Sequence, residues 1–319
     1  MSTIFVVPTR KKRNPGPTGT RPLRSKGVRE SKGYRTFQVF NYLLLGALAF
    51  MTLYPMWHVL VGSLSDGRAL MRHSGFLLWP LGGISIEAYH AVMRNPNILM
   101  GYQNTLFILT VGIPLQVIVT SLGAYVLSRK TFGLRNPAMF FITFTMFFQG
   151  GMIPMFLLVR DLGLMNNLLS VVLPFTVNAF NLIIMRTSFQ AIPESLEESA
   201  RMDGAGHFTV YARIVMPLSK AVIAVMILYY GVGLWNGWFW ASVFIRNRSL
   251  FPLQLVLREI LIINDLASMT QGMGGDDMVS LSESIRYATI IVSTLPILTV
   301  YPFLQKYFAG GVMIGAIKG

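Results

Sequence analysis

The side chains best placed for chemistry are four carboxylates in the stretch 192–218, namely Glu194, Glu197, Glu198 and Asp203. They are four of the chain's 13 acidic residues, and apolar runs lie on both sides of the stretch. The chain has four histidines without metal-ligand spacing, no HExxH sequence and no cysteine, so no metal or thiol site is predicted. The clustered carboxylates are suited instead to charged contacts with a partner protein.

The rest of the chain has the composition of a membrane protein. Of its 319 residues 53% are hydrophobic and only 13% are charged, with a mean hydropathy of +0.54, whereas soluble domains carry about 25% charged residues. A helix needs about 20 apolar residues to cross the hydrocarbon core. The sequence therefore predicts an all-α polytopic fold with six transmembrane helices, at about 38–62, 104–128, 138–159, 168–188, 219–245 and 287–308. Gly150 and Gly151 in the third span and Pro174 in the fourth predict broken helices that face protein.

The distribution of charge orients these spans. Residues 1–36 carry ten of the 27 Lys and Arg residues and one acidic residue, so they are predicted to be a basic cytoplasmic tail before a transmembrane domain at 37–319. This confinement to a tail beside the membrane lipid argues against nucleic-acid binding. With both termini inside, 19 of the 27 basic residues lie in the cytoplasm and the other 8 outside. The positive-inside rule therefore places both termini and the loop at 189–218, here called the acidic loop, in the cytoplasm.

The acidic loop is predicted to form two short helices joined at a corner. Pro193 suits a first helical turn, and the acidic residues behind it complement the positive end of a helix. Gly204 or Gly206 can end this helix, and a second helix follows at about 207–215. Small residues at the corner would permit close approach by a partner: Ser199, Ala200, Gly204, Ala205 and Gly206. An ordinary solvated loop is the alternative on composition alone.

The spacing of residues in the acidic loop favours the partner-binding alternative. Glu198-Ser199-Ala200, three residues, Gly204, nine residues, Ile214, one residue and Met216-Pro217 resemble the EAA motif, E-A-A-x3-G-x9-I-x-L-P. That motif marks the membrane subunits of binding-protein-dependent ABC importers, and the departures here are Ser199 for Ala and Met216 for Leu. From about residue 42 to the end, the chain also resembles the carbohydrate branch, the maltose G-type and oligosaccharide permeases. The stretches that carry this resemblance are 77–98, 123–130, 145–167, 181–206, 251–260 and 305–319.

The resemblance implies a multi-pass transport subunit of the bacterial cytoplasmic (inner) membrane with several partners. Such a chain pairs with a second homologous permease, an ATPase dimer grips the EAA helices, and an extracytoplasmic solute-binding protein delivers an oligosaccharide. It implies no catalytic residues in this chain and coupling to the ATPase through Glu197, Glu198, Ser199, Ala200, Asp203, Gly204, Ala205 and Gly206. The GxxxxGK[ST] phosphate loop is absent, so we expect no cofactor on this chain and ATP with Mg on the partner ATPase.

Polar and aromatic side chains inside the apolar spans are candidates for the translocation pathway. Sugars present C–H faces and hydroxyl groups, which suit aromatic rings and amides. The candidates are Asn178, Asn181, Trp235, Asn236 and Trp238, with Gln116 and Gln149 as further amides. Hydrogen bonds between helices and an interfacial aromatic belt are the structural alternatives for these residues.

Other function classes remain open at this stage. A permease for peptides, amino acids or phosphate would share the EAA motif, and only the flanking resemblance favours sugars. An ion-driven secondary sugar transporter would carry ionisable residues inside its spans, which the predicted spans lack. A membrane-embedded enzyme would need clustered Asp or His near the membrane surface, and the sequence has no such cluster.

Overall fold

The structure, a computed structural model, describes residues 32–262, 282–299 and 302, and every regular element in these ranges is helical. Most of the predicted basic tail, the segment 263–281 and residues 303–319 lie outside the described residues. Helix α1 spans Lys32–Ser63 and so begins within the last residues of the predicted tail. The predicted all-helical fold is confirmed for the part of the chain that is described.

The chain divides into two units, one ending at Leu53 and the other beginning at Tyr54. The described part of the first unit is the portion of α1 that starts at Lys32, and its apolar side chains such as Leu43 and Met51 are exposed. Lipid or a partner helix covers such side chains in a membrane. The second unit holds the other described elements and the sites discussed below.

Two described helices are long and apolar enough to cross a membrane, α1 and α4 (Pro96–Ser128). Helix α4 begins where Asn95 Oδ1 accepts a hydrogen bond from the Asn97 amide at 2.9 Å, with Pro96 in the first turn. Three further spans are possible if each bent pair of helices counts as one, giving up to five in the described residues. The predicted sixth span lies partly outside these residues, although 282–299, here α14, is helical.

The predicted breaks in spans three and four are present. Helices α5 (Arg135–Phe147) and α6 (Met152–Asp161) meet at a bend of 114°, where Gly151 has φ +83°. An L side chain is strained at this backbone angle, which explains glycine there. The 3₁₀ turns of residues 168–175, which contain Pro174, meet α7 (Ala179–Gln190) at 51°.

The predicted span at 219–245 is divided into two helices. Helix α11 covers Lys220–Trp235, and a separate helix, α12, covers Trp238–Phe244. The chain breaks between them at Asn236, whose side-chain amide donates to the Val232 carbonyl at 3.0 Å. A hydropathy pattern averages over such a break because both helices are apolar.

Shorter helices lie between the long ones. Helix α3 covers Glu87–Arg94 and is preceded by α2 (Gly67–Arg72). Helix α13 covers Leu253–Ile262 and follows a 3₁₀ turn at Arg248–Leu250.

Helix α4 lies at the centre of the packing and contacts α7, α11 and α13. Glycines allow the close approach: a Cβ on Gly112 would lie 2.7 Å from Leu234 Cδ1, and one on Gly101 would lie 3.0 Å from Leu253 Cα. Hydrogen bonds reinforce the same contacts, since the Leu253 amide donates to Thr105 Oγ1 at 2.9 Å. Small residues and hydroxyl groups are the usual means of holding helices together in lipid.

We expect Gly101→Val to destabilise the protein by about 1–3 kcal/mol, because the added side chain meets the backbone of α13, which cannot rotate away. Gly46→Val is the matched control, since no atom lies within 4 Å of a Cβ at that helical position. Thermal unfolding of both variants in detergent measures the difference. Equal midpoints would contradict close α4–α13 packing.

Candidate functional site

The first helix of the acidic loop forms where the sequence predicts it. Helix α8 covers Glu194–Met202 and follows Pro193 directly. It ends at a corner where Gly204 has φ +84° and the Ala205 amide donates to the Ala200 carbonyl at 2.9 Å. The left-handed backbone of Gly204 is the conformation that glycine adopts at a helix end.

The second helix of the loop is longer than predicted and is partly wound as a π-helix. Helix α9 covers His207–Val210, the π segment covers Tyr211–Val215, and a last helical turn, α10, covers Met216–Leu218. Val210 and Val215 are fully buried, and the Tyr211 hydroxyl hydrogen-bonds Ser121 Oγ at 2.7 Å. π-Helical turns are rare and are often found at functional sites. The π segment here joins the acidic loop to the C-terminal part of α4.

A buried ion pair joins α8 to the end of α4. The Glu197 carboxylate contacts the Arg129 guanidinium, and the two side chains are only 7% and 11% exposed. Arg129 directly follows α4, and its guanidinium lies over the Tyr125 ring, 4.8 Å from the centroid. Burial lowers the pKa of Arg129 from its ordinary value, because desolvation disfavours the charged form; an arginine nevertheless stays charged at neutral pH. The pair therefore fixes where α8 lies relative to α4.

A second ion pair joins the same elements at the surface. Lys130 Nζ lies 2.8 Å from Glu194 Oε1, with both side chains more than half exposed. The hydrogen bond from Lys130 lowers the pKa of Glu194. Water and salt screen such pairs, so they contribute little to stability. Glu194 and Glu197 thus have the same side chain in different surroundings, since the first is exposed and the second is buried.

The remaining predicted coupling residues lie on the outer side of the loop. Glu198, Ser199, Asp203, Gly204 and Gly206 are exposed, and Ala200 and Ala205 are half-buried. The surface also carries apolar side chains that sequence reasoning missed: Leu196, Met202 and Phe208 are 45%, 88% and 73% exposed. Exposed apolar side chains beside charged ones are typical of protein contact surfaces. Their signal in the sequence is an apolar residue inside an otherwise polar loop.

Four of the five amides predicted for the pathway lie around two adjacent cavities. One, of about 240 Å³, is lined by residues that include Gln116, Asn178, Asn181 and Trp240. The other is a groove of about 900 Å³ beside the bend between α5 and α6, and Gln149 lines it. Phe175, Asn178 and Trp240 line both cavities. The smaller cavity, lined by amides and aromatic rings, thus lies beside the larger groove.

Three other pathway candidates line neither of these cavities. Trp235 is 8% exposed and packs edge-to-face on Tyr102, with ring centroids 6.5 Å apart. Asn236 bonds the carbonyl of Val232 in its own helix. Trp238 lies under the Arg258 guanidinium, 4.6 Å from the ring centroid. Packing and helix termination account for these three contacts.

The described residues hold no group of three or more His, Asp or Glu side chains placed to bind a metal ion. The geometry instead combines an exposed contact surface, a buried connection to the central helix and cavities lined by amides and aromatic rings.

Comparison with known families shows which proteins this chain resembles. Residues 82–314 match the family described as the inner membrane component of binding-protein-dependent transport systems. The chain belongs to this family. It is therefore a permease subunit of a binding-protein-dependent ABC importer, and its family is one of transport subunits rather than catalytic ones. Membership implies a permease partner, an ATPase and a solute-binding protein.

Relatives of this permease extend over nearly its whole length. Protein LplC of Bacillus subtilis (strain 168) is 40% identical, over 92% of this chain and 98% of LplC. The polygalacturonan/rhamnogalacturonan transport system permease protein YtcP of the same organism is 38% identical, over 89% and 99%. Among solved structures, a bacterial ABC transporter involved in the import of the acidic polysaccharide alginate superposes with a TM-score of 0.80. The matched chain is 35% identical, and the match covers 88% of the permease and 99% of that chain.

The two ion pairs of α8 give a matched test of burial. We expect Glu197→Ala to lower the free energy of unfolding by about 3–5 kcal/mol, because it leaves the Arg129 charge buried and uncompensated. Glu194→Ala removes the same side chain from the same helix and should change it little. Thermal unfolding of the purified permease complex compares the two variants. Equal losses of stability would show that the buried Arg129–Glu197 pair stabilises the protein no more than the exposed pair does.

Proposed function

We propose that this chain translocates oligosaccharides across the bacterial inner membrane, driven by ATP that a partner subunit hydrolyses. Family membership supplies the transport role. The observation that supports the substrate is that two relatives above 30% identity, YtcP and the alginate importer, are both named for the transport of polysaccharides. Because alginate and polygalacturonan are both acidic, fragments containing uronic acids are the substrates we propose first.

The proposed arrangement in the membrane has six spans with both termini in the cytoplasm. The excess of basic residues on that side supports it. The acidic loop then lies in the cytoplasm, where an ATPase dimer that carries ATP and Mg binds it. A second homologous permease completes the pathway, and an extracytoplasmic binding protein delivers the sugar from the opposite side.

The ATPase contact that we propose is the outer side of α8 and α9. Exposed Glu198 and Asp203 supply negative charge for a basic partner, and Met202 and Phe208 supply apolar area. Glu197, which the sequence predicts as a coupling residue, is buried against Arg129 and so contributes through that pair rather than by direct contact. Its role in coupling is positional.

Movement of the ATPase reaches the pathway through three connections in this proposal. The Arg129–Glu197 pair joins α8 to the end of α4, and the Tyr211 hydroxyl joins the π segment to Ser121 on α4. Thr120 Oγ1 and the Tyr230 hydroxyl, 2.6 Å apart, join α4 to α11. Both α4 and α11 line the smaller cavity, so a displacement of α8 alters the cavity walls.

We expect Glu198→Lys and Gly204→Ala to abolish sugar uptake by proteoliposomes that contain the whole importer. The first reverses a charge at the proposed ATPase contact, and the second strains the corner at φ +84° by about 1–2 kcal/mol. Stimulation of ATP hydrolysis by the sugar-loaded binding protein should be lost together with uptake.

Gly163→Ala controls for backbone strain. Gly163 also has positive φ, +68°, and a Cβ on it, as on Gly204, would meet no atom within 4 Å. Gly163 lies just after the end of α6 and outside the acidic loop. The variant should therefore introduce a similar backbone strain and keep coupled uptake. Full uptake and full stimulation in both loop variants would refute the coupling assignment.

Substrate class is tested in the same vesicles. We expect the wild-type importer, supplied with its own binding protein, to take up labelled trigalacturonate faster than maltotriose, and to exclude a tripeptide of similar size. Uptake of the tripeptide alone would overturn the sugar assignment. Faster uptake of maltotriose would retain the sugar and refute the preference for acidic fragments.

A further inference from the structure

Gln116 is a buried amide with an acceptor left over. The side chain is 2% exposed, and its Nε2 donates to the Phe175 carbonyl at 3.1 Å. That bond fixes the orientation of the amide, because an oxygen facing the carbonyl would be repelled. The other atom, Oε1, is buried and has no hydrogen-bond donor within the described ranges. A buried carbonyl oxygen without a donor costs free energy, so a ligand or water that donates to it is favoured.

The cavity beside Gln116 has the size and lining for one sugar ring. At about 240 Å³ it equals the space of about eight water molecules at ~30 Å³ each, and it is too small for several sugar rings. Asn178 and Asn181 add further amides, and Tyr229 and Trp240 add aromatic rings. Amides bond hydroxyl groups, and aromatic faces pack against the C–H faces of a pyranose.

The existing contacts of these residues determine which parts of the lining can bind a ligand. Asn178 Oδ1 already accepts from the Asn181 backbone amide at 3.1 Å, so the donor side of Asn178 is the part with capacity for a ligand. The Trp240 ring packs against Phe175 and stacks on Phe244, with centroids 5.3 and 5.2 Å away, so only the part of the ring that lines the cavity is available to a ligand. The aromatic wall is therefore positioned before a sugar arrives, which lowers the entropy lost on binding.

We propose that this subunit itself binds one pyranose ring of the transported oligosaccharide in this cavity, with Gln116 Oε1 accepting a hydrogen bond from a ring hydroxyl. The inference rests on the proposed oligosaccharide substrate and goes beyond it by naming the subsite. A neutral hydroxyl, rather than a uronate carboxylate, occupies the Gln116 position, because Oε1 is an acceptor and a carboxylate has no hydrogen to donate. The amide donors of the lining are suited to the carboxylate of an acidic sugar.

The position of the cavity fits a side subsite of a pathway. Phe175, Asn178 and Trp240 line both it and the 900 Å³ groove, so a chain lying in the groove can place one ring in the cavity. Gln116 lies on α4, four residues before Thr120, which pairs with Tyr230 of α11. A sugar ring bound in the subsite would therefore lie next to the contact that joins α4 and α11.

The test uses a thiol, since the chain has no cysteine of its own. Gly233 lines the cavity, and a Cβ there would meet no atom within 4 Å, so Gly233→Cys places a single thiol in the cavity without a clash. Gly133→Cys, equally open and outside the cavity, is the matched control. The purified permease–ATPase complex, without binding protein, is labelled with a small methanethiosulfonate reagent in the presence of trigalacturonate or maltotriose.

At a concentration that occupies about nine sites in ten, we expect either sugar to slow labelling of Gly233→Cys about tenfold and to leave Gly133→Cys unchanged. Adding Gln116→Leu should raise the half-protecting sugar concentration about tenfold, the usual scale for one lost hydrogen bond to a buried group. Ser128→Ala, which removes a buried hydrogen bond within α4 away from the cavity, should leave that concentration unchanged.

Uptake by the wild-type importer, measured alongside, separates the outcomes. If the importer takes up the sugar and Gly233→Cys labels equally fast with and without it, the subsite is refuted and water satisfies Gln116. If Gly233→Cys does not react at all, Gln116→Leu decides: a several-fold loss of uptake supports the subsite, and unchanged uptake overturns it. If neither trisaccharide is taken up, the oligosaccharide function fails and the subsite fails with it.

Discussion

The position of α8 depends on one buried ion pair, between Glu197 of α8 and Arg129 at the end of α4. Two charges shielded from water stay together because separating them exposes each to an apolar surrounding at a cost of several kcal/mol. Helix α8 therefore cannot shift independently of α4. Since α4 in turn contacts α7, α11 and α13, the pair connects a surface loop with the centre of the helix packing.

Helix α4 suits this role because one of its faces is not purely apolar. Gly101, Thr105, Gly112, Gln116 and Thr120 follow one another at helical spacing and are in contact with protein. The glycines bring neighbouring helices close, and the polar side chains bond across to them. In an apolar surrounding such bonds cannot be exchanged for bonds to water, so they specify which helices are neighbours. The same face supplies Gln116 to the smaller cavity.

The sequence was informative wherever the signal is local. Pro193 and Gly204 predict the ends of α8, and Gly151 predicts the bend between α5 and α6, because proline and glycine act through their own backbone angles. Asn236 and Gly237 divide α11 from α12, but the hydropathy of the flanking helices conceals that break. Nothing local distinguishes Glu197 from Glu198, since only the position of Arg129, nearly seventy residues earlier in the chain, decides which carboxylate is buried. Likewise, the amides were foreseeable as candidates, and their grouping around a cavity required the fold.

The exposure of Met202 and Phe208 affects the stability of the subunit in the cell before it is assembled with its partners. Both are large apolar side chains and are almost fully or largely exposed on a loop that is otherwise polar. In the proposed orientation, a subunit that has not met its ATPase presents them to the cytosol, where chaperones and proteases recognise exposed apolar segments. Binding of the ATPase hides them. We therefore expect the loop to act also as a signal of incomplete assembly, so that surplus permease is degraded and the subunits accumulate in matched amounts.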